Sequence, residues 1–303
     1  MSTSLGVAHR KPNFPMPRGA CDCHVHIFGS HDEFPFARDR VYMPGLATVE
    51  DLLAMHRAIG ISRVVVVQAS PQGTDNRCLV RALNRLNSMG HQARGIAVVD
   101  PSIQTEELEK LREAGVRGLR VNLESFKQND PGVAREALRE TAIVAAKMGW
   151  HVQVYSNLRV VRAVASLIAE LPVPIVLDNF GLASPTAGVQ QDGLEETLEL
   201  VRSGHLYVKL SAPYRIVERP DGADGATIAR SFLDANPDRM LWGTDWPHTG
   251  AWPGQPRMRA QPEAFHPVDD GQQADIFGSW TNVSERQIVL VDNPARLYGF
   301  GGL

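Results

Sequence analysis

The sequence predicts a (β/α)8 barrel, one α/β domain. Three observations lead there. Eight short apolar runs recur along 303 residues. Amphipathic helical stretches separate them, which implies βαβ crossovers and a parallel sheet. The glycine-rich dinucleotide signature of the competing open, doubly wound sheet is missing. Eight strand–helix units in a chain of this length fit a closed barrel.

The predicted strands are ACDCHVHI (20–27), RVVVVQA (63–69), RGIAVVD (94–100), VRGLRVN (116–122), HVQVYS (151–156), PIVLDN (174–179), HLYVKLS (205–211) and RMLWGTD (239–245). Each is bounded by turn formers or by a helical pattern. The helix over 48–60 starts at Thr48 with Asp51 in a capping position and closes on Gly60. Helices follow over 75–90, 105–115, 131–149, 158–172, 194–204 and 226–237. The third carries glutamates in its first turn, where the helix dipole favours them. Residues 1–19 are rich in proline and read as an extended arm ahead of the barrel, which takes up 20–303. Residues 246–285, rich in Pro, Gly and Gln, read as a loop insertion after the eighth strand.

Composition narrows the function. Apolar residues make up 43 % and charged residues 21 %, with a net charge of −3. No basic excess points to nucleic acid. No apolar run approaches the about 18 residues of a membrane span, and the N-terminus lacks the apolar core of a signal peptide. Three cysteines, Cys21, Cys23 and Cys78, argue against a disulfide framework and for a reducing, cytoplasmic setting. They are read as core fillers.

In a parallel barrel the active site lies at the carboxyl ends of the strands. Those ends carry His24 and His26, Gln68 and Ser70, Arg120, Tyr155, Asp178 and Asn179, Ser211 with Arg215 beyond, and Asp245 with His248 beyond. Period-two alternation puts His24 and His26 on one face, with Asp22 expected to line the barrel below them. Two imidazoles so spaced can address one atom, either a metal ion or a carbonyl oxygen. Asp245, in LWGTDWPH, is read as a general base. Trp242 and Trp246 are expected to wall it off from water and raise its pKa. Of Arg117 and Arg120, alternation lets one point inward. Arg120 is nearer the strand end and suits carboxylate binding. Arg215 is the second such candidate.

The stretches CDCHVHIFG, FPF (34–36), VVVVQASPQGTDN, RGIAVVDP, GVRGLRVN, GWHVQVYS, PVPIVLDNFG, YVKLSAPYR, LWGTDWPH and NPARLYGF cover nearly the whole chain in order. In them the chain resembles the amidohydrolase superfamily, in its branch of 2-pyrone-4,6-dicarboxylate lactonases and related lactone hydrolases. The resemblance implies hydrolysis of a small anionic lactone, in aromatic-compound catabolism, without a bound cofactor. His24 and His26 would polarise the carbonyl and Asp245 would take the proton of the attacking water. Arg120, Arg215, Tyr155, Ser70, His248 and Tyr42 would hold the substrate.

Two departures matter. The branch usually has histidine where this chain has Asn179, in DNFG. Asparagine can donate a hydrogen bond to a carbonyl oxygen but is a poor zinc ligand. A divalent metal, Zn or Mn, would then rest on His24, His26 and Asp245. The pyrone dicarboxylate enzymes also carry a further arginine just beyond the Arg120 position. Here Glu124-Ser125-Phe126-Lys127 follow, so Lys127 would have to supply a second clamp. The alternatives to the lactonase are a metal-dependent decarboxylase or hydrolase, a sugar-lactone isomerase, and a ligand-binding barrel without catalysis. The oligomeric state is left open.

Overall fold

The structure, a computed structural model, describes residues 6–217, 219, 222–251 and 256–301. The predicted arm (1–19) and the predicted insertion (246–285) thus fall partly outside the described residues, at 1–5 and 252–255, and so does the end of the barrel segment at 302–303.

Eight parallel strands follow one another around a barrel: β1 (Cys21–Val25), β2 (Arg63–Val67), β3 (Gln92–Ala97), β4 (Val116–Asn122), β5 (His151–Tyr155), β6 (Ile175–Leu177), β7 (Leu206–Ser211) and β8 (Met240–Gly243). Seven lie within the predicted runs and β3 starts two residues ahead of its run, at Gln92; the runs are mostly apolar, as strands covered by helices outside and side chains inside must be. The helices α1 (Val49–Ile59), α2 (Arg77–Ser88), α3 (Thr105–Glu113), α4 (Pro131–Lys147), α5 (Leu158–Ala163), α6 (Ala165–Glu170), α7 (Leu194–Arg202) and α8 (Ala226–Ala235) form the outer layer. Thr48 and Asp51 close a reciprocal capping box on α1, whose C-terminus ends at Gly60 with φ 83°. The predicted helix over 158–172 breaks into α5 and α6 at Val164.

The seam between β1 and β8 is closed differently from the others. A bridge pairs Val25 with Trp246. Backbone bonds run from His26 N to Trp246 O (2.8 Å) and from Asp245 N to His24 O (2.8 Å). The Asp22 carboxylate does the rest. It accepts from Thr244 N (3.0 Å), Thr244 Oγ1 (2.6 Å) and His24 N (3.1 Å), and faces His56 Nε2 of α1 at 3.3 Å. The strands approach so closely here that a Cβ on Gly243 would lie 2.7 Å from His24 N, so only glycine fits.

This corrects the expectation for Asp22. A register shift between Asp22 and Val25 interrupts the alternation of β1. Cys21 and Cys23 pack inside with Val65, Val67, Val176 and Leu241, and Asp22 turns out to the seam. Beyond the shift His24 and His26 face inward.

Residues 246–285 are not all loop. Helix α9 (Asp270–Trp280) lies within them and packs against α1 and α8. Phe277 sits against Trp242 with ring centroids 5.9 Å apart, so Trp242 faces the helix layer. A two-residue ladder, Met43–Pro44 with Pro262–Glu263, ties this segment to the loop after β1. Val283–Gln287, Ile288–Asp292 and Asn293–Tyr298 then run on to the closed end of the barrel. There Tyr298 and Phe300 join the inner core.

Candidate active site

At the strands' carboxyl ends lies a small cavity. Its wall includes His26, Tyr42, Ser70, Arg120, Tyr155, Asn179, Arg215 and Asp245, all singled out from sequence, together with Asn122, Ser125 and Thr249, which were not. His24 lies just beneath. A wider groove between α2 and α3 is lined by surface side chains such as Arg77, Arg81 and Lys110, and by none of the strand-end residues.

The centre is a carboxylate facing two imidazoles. Asp245 Oδ1 stands 3.5 Å from His24 Nε2 and 3.7 Å from His26 Nε2. The two rings meet edge to face, centroids 5.0 Å apart. The other oxygen, Oδ2, accepts from Arg215 Nε (2.8 Å), Arg215 Nη2 (2.6 Å) and Tyr214 Oη (2.8 Å). Arg215 is held in turn by Thr249 O.

The electrostatics reverse one expectation. Burial alone would push the Asp245 carboxyl up. Arg215 and the two histidines more than offset it and hold the group well below the usual carboxylate range. Trp242 does not wall it, as its ring lies in the helix layer. At His24 burial wins: it pulls the ring down to about 4, against the pull of Asp178, so His24 is neutral near pH 7. His26 Nδ1 lies 2.7 Å from Val67 O, an acceptor only, so Nδ1 carries a proton. Its Nε2 is the nitrogen that addresses the cavity.

Asn179 Oδ1 accepts from Ser211 Oγ at 2.6 Å, which leaves the amide N–H groups for the cavity. Several non-glycine residues here have left-handed backbone: Asn179 (φ 49°), Ala212 (φ 51°), Asp245 (φ 65°) and His248 (φ 68°). Each such residue costs of order 1–3 kcal/mol, and strain of this kind gathers where side chains must be aimed.

Arg120 points inward as expected. It donates to Gln68 O (2.9 Å) and Asp178 Oδ2 (3.2 Å) and approaches the Tyr155 ring at 5.9 Å. Arg117 turns out to the carbonyls of Arg112 and Val116. Tyr42 is buried with Arg257 over its ring at 3.8 Å.

Two expected contacts do not form. His248 is buried but does not line the cavity. Its Nε2 faces Asp270 Oδ2 at 3.1 Å, and its ring packs on Tyr214 at 5.5 Å. The left-handed turn at His248 aims it at α9. Lys127 is exposed at the end of a short turn and does not enter the cavity.

Sequence reasoning gave no role to Tyr214, Gln153, Asp178 or Lys209. Lys209 and Gln153 had a legible signal: a long polar side chain between apolar neighbours in LYVKLS and HVQVY, in phase with the inward-facing Ser211 and Tyr155.

As a metal site the trio fits by number and spacing. One ligand atom each from His24, His26 and Asp245 lies within 4.8 Å of the others. Both ring nitrogens of His24 are buried without a hydrogen bond. Three donors with an open position suit a catalytic divalent ion. The surroundings disfavour a dication. Arg215 sits on the same carboxylate, and Lys209 and Arg120 lie on the next one, Asp178.

The chain as a whole is similar to known proteins. The amidohydrolase family matches residues 21–300. A 2-pyrone-4,6-dicarboxylate hydrolase of Comamonas testosteroni is 37 % identical, over 95 % of this chain and 92 % of its own. A 4-sulfomuconolactone hydrolase of Hydrogenophaga intermedia is 30 % identical, over 94 % of this chain and 90 % of its own. Among solved structures, a Pseudomonas putida protein described as a 2-pyrone-4,6-dicarboxylic acid hydrolase superposes with a TM-score of 0.76 at 30 % identity, covering 94 % of this chain and 99 % of its own.

Proposed function

The chain belongs to the amidohydrolase family, in the branch of 2-pyrone-4,6-dicarboxylate lactonases and related lactone hydrolases, and from that premise we propose that it opens a small carboxylated lactone by hydrolysis, in the breakdown of aromatic compounds. The observation that carries this reading is the divided Asp245 carboxylate. One oxygen is anchored by Arg215 and Tyr214, and the other faces the histidines beside the cavity.

In this reading a water oxygen attacks the lactone carbonyl carbon. Its proton goes to Asp245 Oδ1, and the ring C–O bond then breaks. The leaving ring oxygen receives that proton, and the product is an open-chain acid. The Asn179 amide donates to the carbonyl oxygen as it gains charge, with His26 Nε2 beside it. Donors already aimed at that point lose little in reorganising. The positive surplus favours an anionic substrate: Arg120, Arg215 and Lys209 stand against Asp178 and Asp245. Lys127 supplies no second clamp, which favours one acidic group near the arginines over the dicarboxylate pyrone.

The donor trio supports a second reading, in which His24, His26 and Asp245 hold one divalent ion that polarises the carbonyl or activates water. No step above requires it.

A screen of carboxylated and sulfonated lactones tests the proposal. Acid release with a product heavier by one water is expected. Unchanged mass would make the protein an isomerase, loss of carbon dioxide a decarboxylase, and binding without turnover a ligand-binding barrel. Metal analysis of protein purified without added metal, followed by chelation, is expected to show full activity without stoichiometric metal.

No helix of the described residues is long and apolar enough to cross a membrane.

A further inference from the structure

Beneath the cavity three polar side chains, Gln153, Asp178 and Lys209, are each 0 % exposed, at β5, the end of β6 and β7 in turn. The reaction outlined above uses none of them directly. Their hydrogen bonds run in one direction only. An ammonium can only donate and a carboxylate can only accept. Lys209 Nζ donates to Gln153 Oε1 at 2.7 Å, which turns the amide nitrogen of Gln153 onto Asp178 Oδ2 at 3.0 Å. Arg120 Nη2 reaches the same Oδ2 at 3.2 Å. Oδ2 therefore holds two donors. Oδ1 accepts no hydrogen bond and faces Lys209 Nζ and His24 Nδ1, each at 3.4 Å.

His24 sits between two carboxylates, with Nδ1 toward Asp178 and Nε2 toward Asp245. A neutral imidazole has one N–H, so one carboxylate must face a lone pair. Asp245 borders the cavity and can take a donor from water or substrate. Asp178 is sealed off, so its Oδ1 depends on His24 and Lys209.

We propose that Lys209, Gln153 and Asp178 are positioning residues that hold His24 as the Nδ1–H tautomer, with its Nε2 lone pair aimed at the cavity beside Asp245. Lys209 sets the Gln153 amide, Gln153 and Arg120 occupy one oxygen of Asp178, and the other oxygen takes the His24 proton. His24 then joins Asp245 as an acceptor for the proton of the attacking water, and the carbonyl is left to His26 and Asn179. Its effect on turnover rests on the hydrolytic reading; the tautomer itself does not.

The test is nitrogen NMR of the unliganded protein at neutral pH, with 15N-labelled histidine. The His24 signals are assigned by their loss in His24→Gln. A proton on Nδ1 and a bare Nε2 are expected. In Asp178→Asn and Lys209→Met the signal is expected to become a mixture of tautomers while the other histidines keep their dispersion. Should Lys209→Met not fold, Gln153→Met keeps the lysine–aspartate pair and carries the same expectation. With a lactone from the screen, kcat in these variants is expected to fall about 10–100-fold, as for other partners of working histidines, with KM within about threefold. A proton on Nε2 in the parent protein would overturn the proposal, as would an unchanged tautomer in Asp178→Asn. A fall in kcat with the tautomer unmoved would also overturn it, by marking a merely structural role. A screen that finds no lactone would count against the hydrolytic reading and leave the tautomer result standing.

Discussion

The two ends of the barrel use the same residue types to opposite effect. At the open end Arg120 and Arg215 terminate on carboxylates, Asp178 and Asp245, which they share with histidines. At the closed end Arg63 and Arg94 terminate on backbone carbonyls of the chain's own tail. Arg63 reaches Gly301 O at 2.8 Å, and Arg94 reaches Tyr298 O at 3.2 Å and Gly299 O at 2.9 Å. Both guanidinium groups lie over the Phe300 ring, at 5.3 and 4.9 Å. Left-handed non-glycine backbone gathers after β6, β7 and β8, at the open end. The closed end is a plug and the open end is a strained, charged pocket. On the proposed reading, function and stability are separable along the barrel axis.

The largest expected effect breaks the comparison at the open end. Asp245→Asn keeps the shape and removes the proton acceptor. It should lower kcat/KM for the lactone by about 10³-fold, within the usual range for a general base. Acid release measures it. Turnover at the parent rate would remove Asp245 from the chemistry.

The next acts at the closed end. Phe300→Ala should cost about 3 kcal/mol in denaturant unfolding, as for other large-to-small core changes. The kcat/KM of the folded fraction should stay within about twofold, since the ring lies a barrel's height from the cavity. A fall in activity to match that of Asp245→Asn would show that the two ends are not separable.

The last, and the smallest per pH unit, sharpens the contrast through pH. His151, against Tyr298 at 5.3 Å, is pulled down to about 3 by burial. The unfolded chain takes up this proton below its ordinary pKa of about 6.5, and the folded chain only near 3. Stability therefore falls as pH drops from about 6.5 toward 3, by up to about 1.4 kcal/mol per unit for this residue. Chemical unfolding across that window should show a shallower slope in His151→Gln. An unchanged slope would mean the histidine is already protonated when folded.

Much of the site was legible. Strand-end residues of a parallel barrel converge whatever their sequence separation, and this located His24, His26, Arg120, Tyr155, Asn179, Arg215 and Asp245. What was misread depended on local departures from regular geometry. Asp22 left the inner face because β1 slips its register beside it. His248 left the cavity because its left-handed backbone turns it to Asp270. The basicity of Asp245 was misjudged because two tryptophans nearby in sequence mattered less than Arg215, thirty residues away.

By itself the sequence determined the barrel, the order of its strands and the end where chemistry gathers, since apolar runs, helix caps and period-two alternation are local properties. Only the tertiary structure decided which partner each charged group has, and so its protonation. Whether Asp245 is a strong or a weak base, and which nitrogen of His24 bears a proton, depend on Arg215, Asp178 and Lys209 coming within a few ångströms across three strands. Electrostatic energy in a buried site is set by such distances, and spacing along the chain does not encode them.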